Sequence, residues 1–426
     1  MSTRALLGLF AALRLAQLIA ERGLARLNRR YYLDPERQAA AGRTLGISDE
    51  ALAASIRYAT DRSRLATVSD VTMVVAVLAF IAVGGLGRVE IVARSVAAAW
   101  GCGSTVAGLV FLGVLALASA LVQLPFDAYA TFVIEQRHGF NRQSVGDFIL
   151  DRLKGAALSV ALGAPLIALV LALIERAAPG WWVAAWLATN AVNLIIAWIY
   201  PTLLAPLFNR FTPLPEGDLR VRVLALCERV GFRTSGVFVM DGSRRSTHGN
   251  AFFTGLFGHK RIVLFDTLVE ALLPHEIVAV LAHELGHFKL HHVRRQLARS
   301  LLFSAVLFFT LSRCLPLTPC YVAFGLAGRS AYGALVVFGL WFALVEFLLQ
   351  PWSSAISRRH EFAADAFALR QLGSGQDLGH ALLKLRERSR HVPLVHPLYS
   401  RIYYSHPPLL ERLAALGLPG ERQQAL

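Results

Sequence analysis

His283-Glu284-Leu285-Gly286-His287 reads H-E-x-x-H inside Ile277 to Leu290, a segment of helical periodicity. Residues four apart share one face of a helix, so the two imidazoles can meet a single metal ion. Glu284 follows the first histidine and lies one turn from that metal, where it can take a proton from a water the metal activates. The spacing is the one zinc-dependent hydrolysis needs, and it makes one zinc ion per chain the expected cofactor. Pro274 suits the first position of this helix. His275 and Glu276 fall on its first turn, where a solvated position is expected.

A catalytic zinc has three protein ligands and an open position. The third candidate here is Glu361, in Arg358-Arg359-His360-Glu361-Phe362-Ala363-Ala364-Asp365. Asp365, four residues on, lies on the same helical face and can accept an N–H from a ligand histidine. The bland reading of this stretch is a helix with exposed acids among arginines. Two rivals for the third place are weaker. His291 sits a full turn beyond His287 on the same face, and Glu346 falls inside an apolar run. His248, His259 and His292 read as loop or surface residues. His406, before Pro407-Pro408, is a candidate donor to the oxyanion of a peptide-hydrolysis intermediate, or simply a turn histidine. Asn250–Thr254 reads as a strand on which a substrate backbone could be added.

Outward from these motifs the chain is apolar. It has 426 residues, 55% of them hydrophobic and 17% charged, with a mean hydropathy of +0.50. Runs near spanning length occur at Ala5–Ala20, Val71–Leu86, Val106–Leu124, Ala156–Ile174, Trp181–Ile199, Leu301–Leu311 with its flanks, and Ala334–Leu349. A span needs about 20 apolar residues, so the expected fold is mainly α, a polytopic membrane protein with about seven spans. The net charge of +15 is distributed as a bilayer protein distributes it. With alternating spans, one side receives only Arg88, Arg94, Arg176, Arg313 and Arg329 between spans, and the other receives the remaining basic clusters. By the positive-inside rule the H-E-x-x-H and Glu361 segments are cytoplasmic, and no nucleic-acid partner is implied. The excess of arginine over lysine points to a GC-rich bacterial genome, hence to a bacterial inner membrane. Four cysteines make no disulfide framework. Cys314 and Cys320 could bridge in an oxidising compartment, but all four are expected to be free.

The expected organisation is an N-terminal membrane region at 1–200, a zincin-like subdomain at 201–300, two spans at 301–350 and a C-terminal helical catalytic region at 351–426. Within the insertion, four prolines keep Tyr200–Glu216 extended or turned. Leu219–Val230 reads as an amphipathic helix, and Gly236–Met240, Asn250–Thr254 and Arg261–Phe265 as strands, with a hairpin turn at Gly255–Lys260. Helix is expected again from about Ser357 to Gly373 and from Leu409.

Several blocks together resemble one family. They include Phe132-Val133-Ile134-Glu135-Gln136-Arg137-His138-Gly139-Phe140-Asn141, Ala205-Pro206-Leu207-Phe208-Asn209-Arg210, His248-Gly249-Asn250-Ala251-Phe252-Phe253, the zinc helix, Ser357-Arg358-Arg359-His360-Glu361-Phe362, and Ser405-His406-Pro407-Pro408-Leu409-Leu410-Glu411-Arg412. The chain resembles the type I CAAX prenyl endopeptidases, integral-membrane zinc proteases of the gluzincin class. The resemblance implies seven spans around a water-filled chamber, and His283, His287 and Glu361 as zinc ligands. It implies Glu284 as general base, Asp365 behind a ligand histidine, His406 and Arg412 at the transition state, and Asn250 and Ala251 on the substrate strand. It implies a peptide or protein substrate, lipidated for the family's eukaryotic members, and membrane lipid around the spans; oligomeric state stays open. His360 stands where an aromatic residue is expected, which makes it a further ligand candidate. The competing readings are a quality-control protease of the heat-shock type, which lacks the long N-terminal block, a chamber or transporter with structural zinc, and a site-two-type intramembrane protease. The last is disfavoured by the polar flanks of the motif.

Overall fold

In the computed structural model, which describes residues 2–176, 178–254 and 260–418, seven helices are long and apolar enough to cross a bilayer. They are Thr3–Tyr32, Asp49–Ala82, Ser104–Glu135, Val145–Glu175, Trp181–Leu207, His292–Cys314 and Ala331–Leu372. Six of them contain one of the apolar runs read from sequence and extend beyond it, while the second ends inside the run Val71–Leu86. The second begins in the polar stretch Ala39–Ser63 and ends at Ala82, because Gly84 takes a left-handed conformation (φ 72°). The third passes through a π-helical turn at Ala130–Glu135. The turn Gly255–Lys260 lies almost wholly outside the described residues, as does His259. All four cysteines are free, including Cys314 and Cys320.

The largest departure from expectation is the seventh helix. Span seven and the segment bearing Glu361 form a single 42-residue helix, Ala331–Leu372, with Pro351 inside it. Its apolar half packs among the spans, while Glu361, Ala364, Asp365 and Ala368 are buried against the zinc-motif helix Pro274–Lys289. The same rod therefore fixes the site relative to the bilayer.

Four strands make a small mixed sheet: β1 (Phe211–Pro213), β2 (Val237–Met240), β3 (Ala251–Thr254) and β4 (Arg261–Phe265), in the order β1-β2-β4-β3. β2 and β4 run parallel; β3 pairs antiparallel with β4 and is an edge strand. β1 was not expected as a strand. Its three residues, one of them proline, carry no alternation to read, and pairing with β2 alone defines it. The loop before β3 is strapped to the fourth spanning helix. Arg245 bonds both carboxylate oxygens of Asp151 (2.7 and 3.0 Å), and Arg244 reaches Asp147 (2.7 Å).

The zinc-motif helix lies at the centre of the core beside this sheet. Ile277, Ala279, Leu281, Ala282 and Leu285 are each 1% exposed or less. Glu276 is not solvated as expected. It is 2% exposed, accepts from the Leu273 N–H (2.8 Å) and pairs with Lys384 (2.6 Å), so it caps the helix and ties it to helix Gln376–Ser389. Gly286, within the motif, lets the two helices that carry the candidate ligands touch. A Cβ there would lie 3.1 Å from Ala364 Cα and 3.2 Å from its carbonyl oxygen. Gly286→Val should overpack this crossing at a cost of about 1–3 kcal/mol. A lower melting temperature and weaker metal retention in the purified variant are the expected readings.

Candidate active site

The two helices bring three ligand-type side chains to one point. His283 Nε2 lies 3.2 Å from His287 Nε2 and 3.5 Å from Glu361 Oε2, and His287 Nε2 lies 3.3 Å from Glu361 Oε1. Their ligand atoms all fall within 4.8 Å of one another. Glu361 Oε2 is buried with no hydrogen-bond partner among the described residues. Electron-rich atoms held this close, one of them a buried carboxylate oxygen left unsatisfied, fit a shared cation and little else. His291 and Glu346 do not join this group. His291 adopts φ 58° between two helices, where it reverses the chain, and Glu346 is exposed on the long helix.

Each histidine of this group is held from behind. His283 Nδ1 donates to Asp365 Oδ1 (2.7 Å), which leaves Nε2 toward Glu361. Burial disfavours a charged ring, yet the Asp365 and Glu361 carboxylates outweigh it and push His283 up to about 9. Asp365 is itself clamped by Arg412 through Nε (2.8 Å) and Nη2 (2.7 Å). His287 is held differently. Its Nδ1 lies 3.1 Å from Nδ1 of His292, which is 5% exposed. His292 is therefore no surface residue. It stacks flat on His360, with ring centroids 4.0 Å apart and an interplanar angle of 8°, and His360 contributes this stack rather than a metal ligand. Nothing in the linear sequence marks His292. It faces His287 only because Leu290 and His291 turn the chain back between helices.

In front of the metal group lies a cavity of about 1640 Å³, lined by residues of the first three spans and by Glu284, His406, Arg412, Asn250 and Ala251. Burial raises the Glu284 carboxyl above the usual range, against the pull of His283 and His287. His406 Nε2 is 3.5 Å from Glu361 Oε2, and Ser405 Oγ lies 3.0 Å from its Nδ1. Burial within the cavity holds His406 below its ordinary pKa. Asn250 is exposed at the start of the edge strand, and its carbonyl accepts from Phe265 N (2.9 Å).

The sequence matches family models over most of its length. Residues 37–210 match the CAAX prenyl protease N-terminal domain, described as five membrane helices, and residues 213–418 match peptidase family M48. The chain belongs to the CAAX prenyl proteases of family M48. It is 42% identical to CAAX prenyl protease 1 homolog of Arabidopsis thaliana, over 72% of this chain and 73% of that protein. It is 39% identical to CAAX prenyl protease 1 of Saccharomyces cerevisiae, over 75% and 74%. The crystal structure of S. mikatae Ste24p superposes with a TM-score of 0.90 at 32% identity, covering 96% of this chain and 98% of that one. A CAAX prenyl protease is a multi-pass integral membrane protein that acts on peptide or protein substrates, and this chain has both the spans and a His-His-Glu group that could hold a metal. The N-terminal match falls on the block that the heat-shock type lacks, so neither that reading nor a non-catalytic chamber is favoured.

Proposed function

We propose that the chain is a zinc endopeptidase whose metal is held by His283, His287 and Glu361. The convergence of their three ligand atoms beside Glu284 carries this reading. Zinc bound there supplies a Lewis acid that polarises the scissile carbonyl and makes water acidic enough to be deprotonated at neutral pH. Glu284 takes the proton of the attacking water and returns it to the leaving amine. His406, with its Nε2 directed toward the ligand group, and Arg412, whose Nη1 has no hydrogen bond to another described residue, donate to the developing oxyanion. Asp365 fixes His283 and holds the Arg412 guanidinium in place. The substrate backbone lies along the free edge of β3 at Asn250 and Ala251. We divide the chain at 1–200, 201–300, 301–350 and 351–426; the last boundary falls within the long helix, which joins membrane and catalytic parts as one rod. The catalytic elements face the arginine-rich, cytoplasmic side of a bacterial inner membrane, and the substrates there are peptides or membrane-associated proteins, lipidated or not.

Zinc analysis of the purified protein and its Glu284→Gln variant, together with a peptide-cleavage assay, tests the proposal. One zinc per chain in both and cleavage by the parent alone is the expected result. A parent that holds zinc and cleaves nothing would point to a structural metal.

His292 supports His287 as Asp365 supports His283. His292→Ala should weaken zinc binding roughly 10- to 100-fold, the usual cost of losing a ligand's outer partner. His360→Phe, which keeps a stacked ring, should leave it unchanged. Chelator competition reads both, and equal zinc affinities for His292→Ala and the parent would remove His292 from this role.

A further inference from the structure

Arg386, on helix Gln376–Ser389, is 7% exposed, yet no carboxylate lies within ion-pair distance of it among the described residues. Its Nε donates to the His391 carbonyl (2.9 Å) and its Nη2 to Ser55 Oγ (2.9 Å), both neutral acceptors. Buried guanidinium groups are normally paired with an anion, because solvation lost on burial must be replaced. Arg386 lines the catalytic cavity. With Phe140 and Arg390 it also lines a second cavity of about 790 Å³, to which the neighbouring Glu387 belongs.

The cavity wall around it is cationic. Arg390 ends its helix in a left-handed conformation (φ 48°), costly for a residue with a side chain, and its guanidinium sits over the Phe140 ring at 5.5 Å. Phe140 stacks on His248 (4.6 Å). Arg62 bonds Glu135 (3.1 Å), and His248 approaches the same carboxylate (3.7 Å). Glu135 also accepts from Tyr58 (2.7 Å), so its lone pairs are engaged. Burial, with His248, Arg386 and Arg62 nearby, holds His391 below its ordinary pKa.

We propose that Arg386, Arg390 and His391 form a subsite for a carboxylate of the peptide substrate. The inference rests on the peptidase reading and names how one end of the substrate is held. His248 and Gly249 lead directly into Asn250 and β3. A peptide added along β3 therefore reaches the cationic wall at one end, and the anion a peptide end carries is its C-terminal carboxylate. An acidic side chain offers the same chemistry, and the test separates the two.

The full-length zinc-loaded enzyme is given three matched fluorogenic peptides: a free acid, its C-terminal amide, and an amide with an aspartate near the end. A charge-assisted hydrogen bond of this kind corresponds to roughly 10- to 100-fold in KM. The free acid should have a KM lower than the plain amide by that factor, with kcat little changed. Arg386→Gln, and separately the double variant Arg390→Gln/His391→Gln in case the first does not fold, should raise KM for the acid toward that of the amide and leave the amide's KM alone. Acid and amide cleaved with equal KM by the parent would overturn the subsite. The aspartyl amide matching the free acid would overturn assignment to the terminus. A parent inactive on all three peptides while holding zinc would sink the peptidase reading instead. Binding of the free acid and amide to the Glu284→Gln protein reads the subsite without turnover.

Discussion

Glu361→Ala will purify without stoichiometric zinc and will not cleave peptide. In the proposed site the carboxylate supplies the one ligand atom that does not come from helix Pro274–Lys289. Two imidazoles from adjacent turns of one helix, without a third ligand, form an incomplete site for a catalytic zinc. Loss of an outer partner alone costs roughly 10- to 100-fold in affinity, so loss of a ligand should exceed about 100-fold. A second reading separates a lost ligand from a damaged fold. Glu361 Oε2 is buried with no hydrogen-bond partner among the described residues, and a buried oxygen that neither metal nor donor satisfies costs about 1–3 kcal/mol. Metal-free Glu361→Ala should therefore melt no lower than the metal-free parent, while zinc should stabilise the parent alone. Glu346→Ala, in the same helix but outside the metal group, is the control and should retain zinc. Stoichiometric zinc in Glu361→Ala would exclude the residue from the site.

The candidate metal group, His283, His287 and Glu361, was legible because it rests on helical periodicity, which survives folding. His283 and His287 repeat at four, Glu361 and Asp365 repeat at four, and the structure brings the two faces together. The strands at 237–240, 251–254 and 261–265 follow their apolar, β-branched runs to within a residue. What was not legible depends on partners distant in sequence. Glu276 is buried because Lys384, 108 positions away, neutralises it. His292 faces the site because His291 reverses the chain into the next helix. Helix Ala331–Leu372 runs through Pro351, where sequence rules place an interruption. Proline inside a helix costs about 3 kcal/mol, and here the packing of the rod along the spans and across the zinc-motif helix offsets it. No local signal announces that compensation.

Glu284→Gln should keep its zinc, its melting temperature and its affinity for peptide, and lose roughly 10²- to 10⁴-fold in kcat, the range general acid–base catalysis supplies. The amide has the shape of the carboxylate but cannot accept the proton of the attacking water. Metal retention follows from position: Glu284 lines the substrate cavity and stands outside the group of ligand atoms. Fold retention follows because no hydrogen bond or ion pair to another described residue depends on its charge. Burial raises its pKa toward the range where a carboxylate both takes and returns a proton efficiently. The split between kcat and KM is the deciding measurement. If Glu284 merely shaped the pocket, the isosteric amide would leave kcat within a few-fold of the parent. If it served as a ligand, zinc would fall with activity. Loss of kcat with zinc and KM unchanged is compatible only with a group that handles the proton in the bond-breaking step.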